Sequence, residues 1–246
     1  MPNGGDGIHI DDAPENAVGG NDPNNFNIIS GNEGNGIYIT GTNAADNNVL
    51  FNYIGTQYSG TGEIPNKNGV VIENANKIIF EQNIISGNRE NGIMLTGADT
   101  YENEIIGNTI GYGIDDMPAG NDNNGILIDG GAHENSIRAG NVIAGNAYYG
   151  IHIKGEETQM NMVYQNTIGP GFVSDNRKGN LQGIFIENSP KNKIGGEDLG
   201  NDISGNNLNG IKIKGITARE NQISGNTIGS FGDDELKNLL HGILIE

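Results

Sequence analysis

The stretch Asn27-Ile28-Ile29-Ser30-Gly31-Asn32-Glu33-Gly34-Asn35-Gly36-Ile37-Tyr38-Ile39 contains both phrases from which the rest of the chain is built. Its end, Gly36-Ile37-Tyr38-Ile39, is one of nine Gly-[Ile/Val]-x-[Ile/Leu] segments, which begin at Gly7, Gly36, Gly69, Gly92, Gly125, Gly150, Gly183, Gly210 and Gly242. They are spaced 29, 33, 23, 33, 25, 33, 27 and 32 residues apart, so short and long coils alternate. Its start, Asn27-Ile28-Ile29, belongs to an Asn-x-[Ile/Val] column that also holds Asn52, Asn83, Asn108, Asn141, Asn166, Asn201 and Asn226. A second column of the same pattern precedes it in each coil: Asn16, Asn47, Asn76, Asn103, Asn135, Asn161, Asn192 and Asn221. Fixed-period self-similarity of this kind marks a solenoid.

Each coil therefore holds three short strands: the Gly-Ile-x-Ile segment and one after each asparagine. Strand residues alternate between faces, so Ile37 and Ile39 point one way and Tyr38 the other. A single coil buries its isoleucines only by stacking on the next, which places like residues about 4.8 Å apart. The expected fold is a single-stranded right-handed parallel β-helix of eight to nine coils with three short parallel sheets, a rod of roughly 40 Å. The asparagines are read as corner residues. Their amides bond neighbouring backbone and each other, and Asn tolerates the left-handed conformation of a sharp bend. Asn52, Asn83, Asn108, Asn141, Asn166 and Asn226 are accordingly expected to form a structural ladder. Leucine-rich repeats are excluded because Leu is sparse and no segment has helical periodicity. A six-residue period and the Gly-Gly-x-Gly-x-Asp calcium nonapeptide are both missing.

Composition narrows the function classes. Gly (41) and Asn (40) together fill a third of the 246 residues, yet Ile and Val recur at fixed positions, so the chain is not disordered. Cys is absent, which removes disulfides, thiol nucleophiles and thiolate metal sites. The net charge of −18 repels nucleic acid phosphates and anionic headgroups; it suits solubility or Ca²⁺ binding outside the cell. No apolar run is long enough to span a membrane, and the first residues lack the regions of a signal peptide.

The run Val18-Gly19-Gly20 … Asn27-Ile28-Ile29-Ser30-Gly31-Asn32-Glu33-Gly34-Asn35-Gly36-Ile37 resembles a bacterial parallel β-helix repeat, I-G-G … G-N-x-I-S-G-N-x-x-x-G-I-x-I. The frame returns at Ile194-Gly195-Gly196 … Asn201-Asp202-Ile203-Ser204-Gly205-Asn206 and Gly210-Ile211, and the partner phrase G-N-x-I-G-T appears at residues 52–56 and 107–111. The resemblance covers essentially the whole chain. It implies large secreted or surface-bound bacterial proteins. The wider fold is similar to that of pectate lyases, polygalacturonases and alginate epimerases, where saccharide binds the outer face of the first sheet between long turns. The enzymes' own motifs are not matched. There is no Asp-Pro-x-x-His phrase, Asp11-Asp12 lacks the companions of a polygalacturonase site, and no Arg lies on this sheet.

The long turns before alternate Gly-Ile-x-Ile strands (residues 55–69, 111–125, 169–183 and 229–242) are where function is expected to concentrate. The outer face beside them reads His9, Tyr38, Val71, Met94, Leu127, His152, Phe185, Lys212 and Leu244 in one column. The next column reads Asp11, Thr40, Glu73, Thr96, Asp129, Lys154, Glu187, Lys214 and Glu246. The first column is apolar for an exposed sheet. The turns are expected to fold over it through Ile64, Ile114, Phe172, Val173, Leu239 and Leu240. Sugar contact, through Tyr38, Met94 and Phe185, and protein contact are the alternatives. Asp129, His152, Lys154 and Glu187 on three successive coils are the candidate catalytic group, since a His near carboxylates and a Lys suits proton abstraction. The competing reading is a cross-strand charge ladder, Asp129-Lys154-Glu187-Lys214. Asp115, Asp116 and Asp122 are candidate Ca²⁺ ligands, with Asp233, Asp234 and Glu235 a second acidic cluster. No other cofactor is expected.

Residues 1–246 read as one β-helix domain. The first and last strands share one register without a capping element, which points to a piece of a longer array or an engineered repeat, and to end-to-end self-association. The sequence supports a structural or binding module of a secreted or surface protein, without catalysis. A polysaccharide lyase or epimerase and a carbohydrate-binding module are the alternatives.

Overall fold

The computed structural model describes residues 2–113, 119–170, 179–230 and 236–246. The chain winds as a right-handed parallel β-helix. The nine Gly-Ile-x-Ile strands, Ile8–Asp11 through Ile243–Ile245, form the first sheet. The second sheet has eight strands, Ala17–Gly19 through Gln222–Ser224, and the third has eight, Ile28–Ile29 through Thr227–Ile228. Every strand pairs in parallel with its counterpart one coil away, and the register aligns Ile8 with Ile37 and Ile93 with Val70 and Ile126. Inward residues such as Ile37, Ile39, Ile54, Phe80, Ile105 and Ile110 have no solvent exposure, so the isoleucine columns are the core. No helix among the described residues is long and apolar enough to cross a membrane.

Glycine opens the first eight strands of this sheet because nothing larger fits beneath the next coil. A Cβ on Gly92 would lie 2.7 Å from the Gly125 carbonyl oxygen and 2.9 Å from both the Asn121 amide nitrogen and Ile110 Cγ2.

The expected ladder is continuous. Seven side-chain hydrogen bonds link Asn27, Asn52, Asn83, Asn108, Asn141, Asn166, Asn201 and Asn226 in order. Three details differ from the sequence reading. The left-handed residue is the one before the ladder asparagine, for example Phe51, Gln82 and Gln165 with φ of 57°, 57° and 56°. The asparagine itself clamps that bend, since Asn52 Nδ2 donates back to the Leu50 carbonyl at 3.1 Å. The other column breaks at Asn76. Asn48 pairs with Ile79 and Glu104 with Ile79, so Ile78 stands level with Asn47 and Asn103, and Asn76 sits two residues too early to form a rung. Finally, the corner between the third and first sheets carries a ladder of its own, Asn3, Asn32, Asn66, Asn88, Asn121, Asn146, Asn180, Asn206 and Asn238, joined by eight bonds.

The long turns do not roof the first sheet where they are described. Ile64, Leu239 and Leu240 are exposed. The turn holding Ile64 is pinned to the third-sheet corner instead, with Gly31 N donating to Ile64 O and Ile64 N to Gly55 O, both at 2.9 Å. Ile114, Phe172 and Val173 lie outside the described residues.

Candidate functional site

Three successive first-sheet strands, Ile126–Asp129, Tyr149–Lys154 and Gln182–Glu187, bring the four candidate side chains together on the outer face. Lys154 Nζ lies 3.5 Å from Asp129 Oδ2, and His152 Nε2 lies 3.3 Å from Glu187 Oε2. The second approach is close but off the line of a hydrogen bond, so the buried Nε2 has no aligned partner; Asp129 Oδ1 is likewise buried without one. The Lys154–Glu187–Lys214 neighbours stand in register, which is the alternating charge arrangement. Lys212 of the adjoining column pairs with Glu246 at 2.8 Å.

His152 is held in an aromatic pocket. Its ring stacks on Phe185 at 4.9 Å and 14°, and Tyr149 packs edge-on against both, at 4.9 Å and 5.0 Å. Burial pushes the imidazole down to about 4, against the opposing pull of Glu187 and with a further push from Lys154. The same burial, reinforced by Glu187, raises the Tyr149 hydroxyl. Tyr148 extends this cluster into solvent with half its surface exposed, 6.3 Å from Tyr149. Lys212 Nζ lies 5.7 Å from the Phe185 ring centre, within cation–π range. An open groove of about 470 Å³ runs beside Asp129, Lys154, Glu156 and Glu187.

Of the proposed sugar contacts, only Phe185 joins this cluster. Tyr38 lies in the same column several coils away, where its hydroxyl bonds Glu73 and its ring tilts against His9 at 4.8 Å. Met94 stands between them, half-buried between Val71 and Leu127. Tyr148 and Tyr149 were missed by sequence reasoning, although a signal existed. The position before the strand glycine is polar in the other eight strands (Asp6, Asn35, Asn68, Asn91, Asn124, Gln182, Asn209 and His241), and Tyr149 is the exception. Asp115, Asp116, Asp233, Asp234 and Glu235 lie outside the described residues, and Asp122 is exposed.

A family model described as "NosD: Periplasmic copper-binding protein (NosD)" matches residues 1–170, and the chain belongs to that family. Among solved structures, a point mutant of the periplasmic alginate epimerase AlgG shares 17% identity at a TM-score of 0.56, over 90% of this chain and 51% of that one. The A-module of the mannuronan C-5 epimerase AlgE4 from Azotobacter vinelandii shares 16% identity at a TM-score of 0.46, over 95% of this chain and 78% of that one. The AlgG likeness supports the β-helix fold. The chain spans about half the length of the AlgG structure. A search of curated protein sequences returns no match.

The family description names copper, but the imidazole and carboxylate donors of the described residues are not gathered into a copper centre. Copper sites assemble several imidazole, thiolate or thioether donors. There is no cysteine, and the four histidines, His9, His133, His152 and His241, sit on four different coils. Among the described residues no group of three His, Asp or Glu side chains is placed to hold a metal ion.

Proposed function

We propose that this chain is a non-catalytic binding module that works outside the cytoplasm and holds an extended saccharide against the outer face of its first sheet. The observation that carries this reading is the state of the candidate acid–base groups. A catalyst at neutral pH needs a proton acceptor or donor whose pKa lies near 7. His152 is packed between Phe185 and Tyr149, where burial holds its imidazole down at about 4, while Lys154 faces Asp129. These contacts support a charge ladder rather than a reaction centre. What the face offers instead is an aromatic cluster with Tyr148 exposed, next to alternating charges that can pair with sugar hydroxyls and carboxylates. The periplasmic description of the family supports the location, and the saccharide-acting fold neighbours support the ligand class.

The test is calorimetric titration with neutral and uronic oligosaccharides, alongside ultraviolet detection of unsaturated uronate and analysis of uronate stereochemistry. Binding without product is expected, weakened roughly tenfold by Tyr148→Ala, the size of one aromatic contact. Unsaturated product, an inverted uronate or the absence of any saccharide binding would overturn it.

A further inference from the structure

A second groove lies on the opposite end of the rod and on a different sheet. It is built by an irregularity in the repeat. Most coils pass from the second sheet to the third in a short corner, but the first coil inserts residues 20–26 there. The insert folds as a turn, with Asn25 N donating to Asp22 O at 2.9 Å and Asn24 N to Asp22 Oδ1 at 2.8 Å. It carries Phe26 onto the outer face of the third sheet, where the ring stacks on Tyr53 at 4.5 Å and 15°. Tyr58, three-quarters exposed, tilts against Phe26 at 5.7 Å and 44°. Below this platform runs a groove of about 330 Å³ lined by Pro23, Phe51, Tyr53, Gln82, Ile84 and Thr109.

We infer that this groove is a binding site for the rings of an uncharged, extended saccharide chain, separate from the first-sheet surface. Charge argues for it: the chain carries 31 acidic and 13 basic side chains, yet none of them lines this groove. A charged ligand gains nothing there, and a neutral one loses nothing. Chemistry argues for it as well. Phe51 and Tyr53 line the groove and the exposed Tyr58 ring stands beside the Phe26–Tyr53 stack, while Gln82, Tyr53 and Thr109 add an amide and two hydroxyls, the groups that pair with sugar hydroxyls. The spacing also fits. The outward residues Ile28, Tyr53, Ile84 and Thr109 stand in register up the sheet, one coil step of about 4.8 Å apart, a repeat close to the length of one pyranose unit in an extended β-1,4-linked chain. The volume is at the low end for ligand sites, so it holds a ring or two of a longer chain. The first-sheet cluster lies on later coils and another face, so the two sites can be filled together and one molecule can hold two chains.

The experiment uses cellohexaose as the probe and protein labelled at its isoleucine methyls and phenylalanine rings in NMR titration. The Ile84 methyl signal is expected to move with added cellohexaose, and Tyr53→Ala is expected to weaken that response roughly tenfold, while Tyr148→Ala leaves it unchanged. Circular dichroism and the melting temperature show that each variant stays folded, and Tyr58→Ala serves as a second variant in which the exposed ring makes no core contact. An Ile84 signal that stays fixed at every cellohexaose concentration, or that moves equally in wild type, Tyr53→Ala and Tyr58→Ala, overturns the proposal. Movement at Ile84 with the Phe185 ring signals unmoved by any saccharide would sink the first-sheet reading and leave this one standing.

Discussion

Among the described residues, His152 is the side chain whose protonation is shifted most by folding. Its ordinary pKa of 6.5 falls to about 4, chiefly because burial disfavours the charged ring. The unfolded chain therefore binds the proton more readily between those two values. Its contribution is flat well above pH 6.5, where neither state holds the proton, and falls as pH drops through 6.5 towards 4. The whole loss is roughly 3 kcal/mol by linkage. Urea midpoints measured from pH 7 to pH 4 should show that decline, and His152→Phe should remove this share of it, because Phe keeps the stack on Phe185 without a proton to bind. An unchanged slope in the variant would mean that carboxylates elsewhere cause the decline. A second residue-scale prediction concerns Gly92. An added methyl at 2.7 Å from a backbone oxygen forces the stacked coils apart. Gly92→Ala should cost about 1–3 kcal/mol, the usual penalty for overpacking, read from the same urea curves. The same substitution at Gly4, where a Cβ meets nothing, should be neutral.

At the scale of the element, the asparagine ladders tie the corners together. Asn108 Nδ2 donates to Asn141 Oδ1 and to the carbonyls of Phe80 and Ile106, while its Oδ1 accepts from both nitrogens of Asn83. Asn108→Ala removes five bonds at once and strands buried partners that water does not reach. At about 1–3 kcal/mol for each unsatisfied group, the loss should reach at least 3 kcal/mol, seen as a clear drop in melting temperature with saccharide binding retained. A melting temperature equal to wild type would show that the ladder is decorative. This element was the most legible part of the sequence, because short turns keep its asparagines two or three residues after the preceding strand in all coils but the first and the seventh. The other two corners were harder to read for physical reasons. Asn76 satisfies the pattern Asn-x-Ile through Ile78, but the sheet register makes Phe80 the inward residue, so an isoleucine occupies the rung. The third ladder hid in the turn before the strand glycine, where Asn66 and Asn180 stand three residues away and Asn32 and Asn88 four. The candidate site shows the same division. Register on a parallel sheet brought Asp129, His152, Lys154 and Glu187 together predictably, whereas the packing of Tyr149 over His152 depends on how a corner side chain turns, which spacing does not encode.

The molecule as a whole is a stack of near-identical coils carrying a net charge of −18. Two electrostatic effects oppose each other as salt is added. Screening weakens the surface ion pairs, such as Arg138–Glu104 at 2.8 Å and Lys212–Glu246 at 2.8 Å, which solvent already attenuates. Screening also relieves the mutual repulsion of the excess acidic groups, which acts over the whole rod when the Debye length is about 30 Å and is confined to near neighbours when it is about 8 Å. With 31 acidic side chains against 13 basic ones, most carboxylates have no cation to lose, so relief of repulsion outweighs loss of pairing. The melting temperature should therefore rise by a few degrees as NaCl increases from about 0.01 M to about 0.15 M, with a chelator present so that no divalent ion contributes. A flat or falling melting temperature would mean that the stacked register has already interleaved the charges well enough for local pairing to dominate. In that case the alternating column through Asp129, Lys154, Glu187 and Lys214 would represent the whole surface rather than one patch of it.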